Sequence, residues 1–221
     1  MRTRPLTWVE VDTRALEQNA RSFKMLVGDH CLFAPVVKAN GYGHGLVLAA
    51  QAFEAGGADW LCVHELDEAL RLREAGIQLP LYIVGYVDPS DAQLVVECGA
   101  RLVVYSEAVV RALHEAALRS GTQVPVHIKL ETGNHRQGLE EAEAWSLLEC
   151  VQSLAGVRLE GLATHFADIE DTTDHGYARE QLSRFSAFES RCREAGISVP
   201  IVHSANSAAT LLWSHAHGSL V

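Results

Sequence analysis

Short apolar runs recur along the chain at intervals of about 20 to 40 residues, the length of a strand, a helix and two loops. The runs are rich in β-branched and aromatic residues, which favours β-strands. Between them lie segments with apolar residues at helical spacing, as at Leu66, Ala69 and Leu70. The pattern predicts alternating strands and helices. The seven predicted strands are 33–37, 60–63, 81–84, 102–105, 126–130, 159–164 and 200–203.

This alternation favours an α/β fold with one parallel sheet covered by helices. Two architectures are compatible with it, an open doubly wound sheet and a TIM-type (β/α)8 barrel. No Gly-x-Gly-x-x-Gly follows the first run, which disfavours the dinucleotide-binding form of the open sheet. The barrel is therefore the preferred prediction, and the open sheet is the alternative.

Helices are predicted at both ends of the pattern as well as within it. An extended piece at 7–12 leads into a first helix at 13–27, for which Asp12 or Thr13 is the candidate N-cap. The other predicted helices are 65–76, 107–119, 140–154 and 177–195.

The composition excludes several classes of protein. A formal net charge of −10 argues against a nucleic-acid-binding or membrane-surface protein, since both need a cationic face. The cysteines are five, widely spaced and without a Cys-x-x-Cys pair, so we expect no disulfide framework, no metal site and a reducing cytoplasm. The first residues do not resemble a signal peptide, and no apolar run has the length of a membrane span.

A lysine at the end of the first predicted strand is the strongest candidate for chemistry. The strand runs into Val37-Lys38-Ala39-Asn40-Gly41-Tyr42-Gly43-His44-Gly45. Burying an ammonium is costly, so a lysine there is unusual unless its amine has a task, such as forming a Schiff base with a carbonyl. The glycines allow a ligand to approach the backbone closely. A lysine extending to solvent from a glycine-rich turn is the alternative.

This stretch resembles the cofactor-lysine motif of bacterial alanine racemases. The resemblance implies that Lys38 carries pyridoxal 5′-phosphate as a Schiff base and is the base on one face of the substrate Cα. It also implies that the Tyr42 hydroxyl contacts the cofactor phosphate. The chain as a whole, 1–221, is then expected to be the N-terminal barrel domain of such an enzyme.

A second motif follows the fifth predicted strand, with Lys129 inside the strand and Arg136 beyond a Thr-Gly turn. A surface turn with an ordinary arginine is the alternative. The segment resembles the family pattern Lys-x-Asp-Thr-Gly-Met-x-Arg-x-Gly, which implies that Arg136 contacts the cofactor's phenolic oxygen and that Lys129, which can be carbamylated, supports it. Glu131, Asn134 and His135 depart from the pattern, which puts substrate specificity in doubt.

Two further motifs end the sixth and seventh predicted strands. Thr164-His165-Phe166-Ala167 matches the family's Thr-His-Phe-Ala, which implies that His165 stacks on the cofactor's pyridine ring; by itself a strand-end histidine is more often structural. Residues 203–208 resemble the family's His-x-Ala-Asn-Ser-Ala. The resemblance implies that Ser207 contacts the phosphate with Asn206 beside it, and a simple capping turn is the alternative.

The last residues, 219–221, are predicted to begin an eighth strand. The resemblance implies that this strand continues with an arginine facing the pyridine nitrogen, and that a C-terminal β domain supplies a tyrosine as second base across a homodimer. We therefore expect a barrel incomplete at its last strand, with two unpaired edges, and little or no racemase activity from the isolated chain.

The function implied by the resemblance is interconversion of L- and D-alanine, for D-alanine supply to peptidoglycan. Serine is an alternative substrate. A non-catalytic single-domain pyridoxal-phosphate-binding homeostasis protein and a D-amino-acid lyase on the same barrel are alternative functions.

Overall fold

A computed structural model describes residues 6–221 and contains six parallel strands in one sheet. Each strand pairs with the next along the chain, in the order β1-β2-β3-β4-β5-β6, with parallel register throughout. The barrel prediction is confirmed over these strands, whose order follows the sequence as a TIM-type barrel requires. Their bounds are β1 Leu61–Val63, β2 Leu81–Ile83, β3 Arg101–Val104, β4 Val124–Lys129, β5 Val157–Ala163 and β6 Ile201–His203.

The first predicted strand, 33–37, forms only a single-residue bridge at Val36, and Leu32 just before it forms another. Its carbonyls accept from β1, with the amide of Cys62 3.0 Å from the Pro35 oxygen, and Val37 donates back to Cys62 at 2.8 Å. Pro35 has no N–H to donate to the same neighbour, so the ladder is interrupted there. The segment is extended and paired, but it is not a continuous strand.

The final three residues pair on both sides. Ser219 donates to the Val202 oxygen at 2.8 Å, while Ala34 donates to Val221 at 2.7 Å and Leu220 bridges Leu32. The ring is thus joined at the amino ends of its strands, and the expectation of two wholly unpaired edges is corrected there. The eighth run spans only these three residues, so pairing toward the carboxyl ends is incomplete, as expected.

Helices cover the outside of the sheet, apart from the short left-handed turn at 38–42. The helices at 13–27 and 107–119 have the predicted bounds, and the helices at 46–55 and 92–98 were not predicted. The bounds are α1 Thr13–Val27, α2 Lys38–Tyr42, α3 Leu46–Ala55, α4 Leu66–Glu74, α5 Ala92–Cys98, α6 Glu107–Arg119, α7 Glu141–Ser153, α8 Gly176–Glu194 and α9 Ser207–Leu212.

Two apolar layers form the core of the barrel, and a third buried cluster contains Phe166, Ile169 and Trp213. The larger lies between the sheet and the helices, and the smaller fills the inside of the ring. The inner layer closes the amino end of the barrel beneath the carboxyl ends of the strands, where a barrel carries its site. Its buried members are Ala34, Trp60, Cys62, Tyr82, Val103, Ile201 and Leu220.

The first helix is fixed at its start by one of the two candidate caps. The Asp12 carboxylate accepts from the amides of Arg14 and Ala15 at 2.9 and 3.1 Å, so Asp12 is the N-cap and Thr13 is the first helical residue. Across residues 6–221, every helix is too short or too polar to cross a membrane.

Candidate active site

The seven residues singled out by the sequence all lie beyond, or at, the carboxyl ends of extended segments. Because parallel strands end on the same side, this places them around one opening of the barrel. They are Lys38 and Tyr42 after the first run, Lys129 and Arg136 at and after β4, His165 after β5, and Asn206 and Ser207 after β6.

Lys38 is half-buried and begins a left-handed turn. Ala39, Asn40, Gly41 and Tyr42 have φ values of 52°, 56°, 62° and 52°. Three of these are not glycine, and such a run is sterically unfavourable, so neighbouring contacts must hold it. The Asn40 side chain accepts from the amide of Leu46 at 3.0 Å, which ties the turn to the start of α3.

Glu68 holds the other side of this turn, a role that the sequence analysis missed. Its buried carboxylate accepts from the amide of Ala39 at 2.7 Å and from that of His64 at 2.8 Å. The backbone next to Lys38 is therefore fixed to the first turn of α4. A glutamate at the third position of a helix suggests only a capping box, and nothing in the sequence indicates the contact 29 residues away.

Cationic groups converge at the opening. Burial, the Arg136 guanidinium and the Lys38 ammonium together lower the pKa of Lys129 to about 8, although Glu131 opposes them. Burial and the charges of Lys129 and Arg136 lower the pKa of His165 to about 4. His165 is therefore neutral near pH 7. The arrangement suits an anionic ligand, because Lys129 and Arg136 bring positive charge together in a partly dry site and lower the pKa of His165 beside them.

Arg136 is exposed, and its charge also reaches Tyr42. Burial raises the pKa of the Tyr42 phenol while the nearby Arg136 guanidinium lowers it, with burial the larger effect. The phenol stays protonated and can donate a hydrogen bond. The turn after Lys38 and the loop after β4 thus bring Tyr42 and Arg136 to the same region.

Lys129 and Gln137 connect this loop to a neighbouring strand. The Lys129 ammonium donates to Gln137 Oε1 at 3.4 Å, and Gln137 Nε2 donates to the Val84 oxygen at 3.0 Å. The amide thus links the end of β4 to the residue that follows β2. Gln137 was not singled out by the sequence.

Glu131, the departure from the family's aspartate, organises the Arg136 loop. Burial favours its neutral form, but backbone N–H donors from Gly133, His135 and Asn134 outweigh burial and lower the pKa of this carboxyl. The ionised side chain therefore attracts the amides of the turn that leads to Arg136, and it accepts a hydrogen bond from the Gly133 amide. Its role here is to shape the loop.

Gln181 of α8 holds two site loops together and was also missed. It is fully buried, and its amide group donates to the His165 carbonyl at 3.2 Å and accepts from Ala167 N at 3.0 Å. The same nitrogen lies 3.4 Å from the Thr132 hydroxyl. The sequence marked α8 as a covering helix, where a polar residue is normally assigned to solvent.

Asn206 and Ser207 occupy the start of α9. Asn206 is the N-cap, its Oδ1 accepting from Ala209 at 2.9 Å, and its Nδ2 donates to Glu170 at 2.8 Å. Ser207 is exposed at the first position of the helix. Among residues 6–221, no hydrogen bond joins either side chain to Lys38. Glu170 connects Asn206 to the rest of the site, because its charge also acts to raise the pKa of His165.

A chain of polar side chains crosses the inside of the barrel below the opening. Glu160 Oε2 accepts from Arg101 Nε at 2.7 Å and lies 3.1 Å from His127 Nε2. His127 Nδ1 is 2.9 Å from His203 Nε2. Glu160 and His127 were missed by the sequence analysis, although a carboxylate in an otherwise apolar strand and a histidine two residues before Lys129 were visible there.

Comparison with protein families identifies one match over most of the chain. The family model "Alanine racemase, N-terminal domain" matches residues 11–221. Among curated proteins, the chain is 42% identical over 214 residues to the alanine racemase of Desulfovibrio desulfuricans and 40% identical over 215 residues to that of Symbiobacterium thermophilum. Each alignment covers 97% of this chain and 57% or 56% of the relative, so the chain spans little more than half the length of these proteins.

Solved structures give the same result. The alanine racemase of Bacillus anthracis with bound L-Ala-P superimposes with a TM-score of 0.91 at 32% identity, over 100% of this chain and 57% of that one. The alanine racemase of Clostridium difficile 630 in complex with cycloserine gives 0.87 at 28% identity, over 96% and 57%.

Proposed function

The chain belongs to the alanine racemase N-terminal domain family, and from this premise we propose that it holds pyridoxal 5′-phosphate on the Lys38 amine and forms the cofactor-binding part of an alanine racemase. The activity would interconvert L- and D-alanine, and we propose D-alanine supply to peptidoglycan as its purpose. All five thiols are free, which suits a reducing compartment.

The observation that carries this proposal is the cationic opening around a half-buried lysine. Pyridoxal 5′-phosphate is an anion with an aldehyde, so it needs a nucleophilic amine and donors for its oxygens. Lys38 offers the amine, Arg136 is a donor for the phenolic oxygen, and the Tyr42 hydroxyl and the Ser207 hydroxyl are donors for the phosphate. The neutral His165 ring suits contact with an aromatic ring. The residues fit the group.

Racemisation requires that a proton leaves Cα on one face and returns on the other. When bound, the cofactor withdraws electron density from Cα. The Lys38 amine would remove or return the proton on its own side of Cα. Because one amine serves one face, a second acid-base group must serve the opposite face.

Glu68 and Glu131 act through the backbone in this scheme. Glu68 keeps the left-handed turn attached to α4, so the Lys38 side chain leaves the backbone at a fixed point. Glu131 keeps the loop in the form that carries Arg136 to the opening. Neither residue needs to touch the substrate.

Reductive trapping tests the proposal. The chain has only three lysines, Lys24, Lys38 and Lys129, so borohydride treatment with pyridoxal 5′-phosphate followed by peptide mass spectrometry assigns the modified residue directly. We expect the label on Lys38, and its loss in Lys38→Ala. Lys24→Ala is the matched control, since Lys24 pairs with Asp59 at 2.7 Å and lies outside the site. A label on Lys24 or Lys129, or none, contradicts the proposal.

Exchange of the Cα hydrogen separates the racemase from the non-catalytic alternative. In D2O, the loaded chain should exchange the Cα hydrogen of alanine faster than free cofactor does, and Lys38→Ala should abolish the gain. Trapping on Lys38 without exchange would favour a cofactor-binding protein. Faster exchange with serine than with alanine would reassign the substrate.

A further inference from the structure

The polar chain inside the barrel fixes where its protons lie, starting from Glu160. Burial favours the neutral acid, but hydrogen bonds from His127 and Arg101 and the charge of Arg101 outweigh it and lower the pKa of Glu160 to about 2. Arg158 adds a donor to the other oxygen at 2.9 Å. An ionised carboxylate can only accept hydrogen bonds, so His127 must donate to it through Nε2–H.

The position of the proton on His127 determines the position of the proton on His203. Burial is the largest influence on His127 and lowers the pKa of its ring, so the imidazole is neutral and carries one proton. With that proton on Nε2, Nδ1 is an acceptor. His203 Nε2, 2.9 Å away, must then be the donor. Burial, above all, and the Lys129 charge lower the pKa of His203, so its ring is also neutral and its Nδ1 is bare.

Packing holds the His127 ring in the position that this requires. A Cβ on Gly161 would lie 2.4 Å from His127 Nδ1, so the absence of a side chain at Gly161 makes room for the ring. The Tyr82 ring lies against it with centroids 4.6 Å apart. A ring confined on both sides keeps each nitrogen facing one partner.

The bare nitrogen of His203, the last residue of β6, is not fully enclosed by the protein. Within residues 6–221, no hydrogen bond involves His203 Nδ1, and no buried side-chain nitrogen or oxygen there lacks a partner. Nδ1 is therefore accessible. The Lys129 ammonium, whose charge acts on His203, is a donor, so this nitrogen adds an acceptor beside a cation of the site.

We infer that Glu160 and His127 are positioning residues that hold His203 in the Nε2–H tautomer, which leaves its Nδ1 as a bare acceptor at the carboxyl end of β6. The role in the site rests on the proposed function. The complementary group carries an N–H or O–H donor, from a bound molecule or from a side chain brought to the opening.

Long-range 1H–15N correlation spectra of the 221-residue chain with ring-labelled histidine test this without any cofactor. His203→Asn identifies the His203 signals. We expect the unprotonated pattern at Nδ1 and the protonated pattern at Nε2 near pH 7. A protonated Nδ1 in the wild-type chain overturns the inference.

Substitutions test the relay. In Glu160→Gln the amide can donate to His127, so the wild-type pattern of His203 should be lost, with Nδ1 at least partly protonated. Arg158→Ala is the matched control, because it removes a partner of Glu160 Oε1 and leaves the Oε2 contact with His127; the wild-type pattern should persist. If Glu160→Gln does not fold, His127→Phe removes the acceptor and should mix the two tautomers. An unchanged His203 pattern in either folded variant overturns the inference.

The result is independent of reductive trapping. A label missing from Lys38 with the expected His203 pattern would defeat the proposed function alone. A label on Lys38 with the opposite His203 pattern would defeat the relay alone.

Discussion

At the residue scale, Lys129 shows how the surroundings change a side chain's chemistry. Burial and the Arg136 charge lower its pKa to about 8, so a large fraction of its amine is neutral in mildly alkaline buffer. We predict that 13C-dimethylated Lys129, followed by NMR, titrates near 8, about two units below an unperturbed lysine. Arg136→Ala should raise the midpoint but not restore it fully, because burial remains. A midpoint near that of free lysine in the unsubstituted chain would contradict the prediction.

The sequence identified the residues that carry charge to the opening and missed those that orient them. Lys38, Lys129 and His165 stand at strand ends, where period-two patterning makes a polar residue conspicuous. Glu68 and Gln181 act instead by binding backbone groups of distant segments, at separations of 29 and 16 residues. Such contacts leave no spacing pattern, because they depend on which loops the fold brings together.

At the scale of elements, α8 acts as the support of two site loops through Gln181. We predict that Gln181→Leu costs about 1–2 kcal/mol of unfolding free energy, because the substitution leaves part-buried backbone groups at His165 and Ala167 without their partner. Reductive trapping of Lys38 should weaken as well. Arg179→Ala, on the exposed face of the same helix, is the control and should change stability by less than about 0.5 kcal/mol. Urea denaturation measures both, and equal stabilities would contradict the assigned role.

Helices with a polar face were predicted well, and those without one were not. The helix at 107–119 alternates charged and apolar positions, and its predicted bounds match. The helix α3 reads Leu-Val-Leu-Ala-Ala-Gln-Ala-Phe-Glu-Ala and is apolar on most sides, so periodicity could not separate it from a strand. The first run was predicted as a strand because its composition is right, but Pro35 removes the donor that would make the ladder continuous.

At the scale of the whole molecule, buried histidines should make stability fall in acid. Burial lowers the folded-state pKa of His165 to about 4 and lowers that of His127 and His203, whereas an unfolded histidine titrates near 6.5. Between these values the unfolded chain binds protons that the folded chain does not, so the unfolding free energy decreases as pH falls from about 6.5 toward 4. Each such proton contributes up to about 1.4 kcal/mol per pH unit. Glu160, lowered from 4.5 to about 2, extends the loss below pH 4.5.

Urea denaturation across this pH range measures the slope. His165→Asn removes one titrating group and should flatten the dependence by up to one proton, while His30→Asn, at an exposed position, should leave it unchanged. His127 and His203 lie inside a ring whose first and last segments pair at Leu32 and Leu220. Protonation of either histidine therefore destabilises the closed part of the barrel and not a single loop. The loss should therefore be cooperative, with tryptophan fluorescence and circular dichroism giving the same midpoint at each pH. A stability that stays constant between pH 7 and 5 would mean that these rings take up their protons without unfolding, and that the barrel interior is more open to water than its packing indicates.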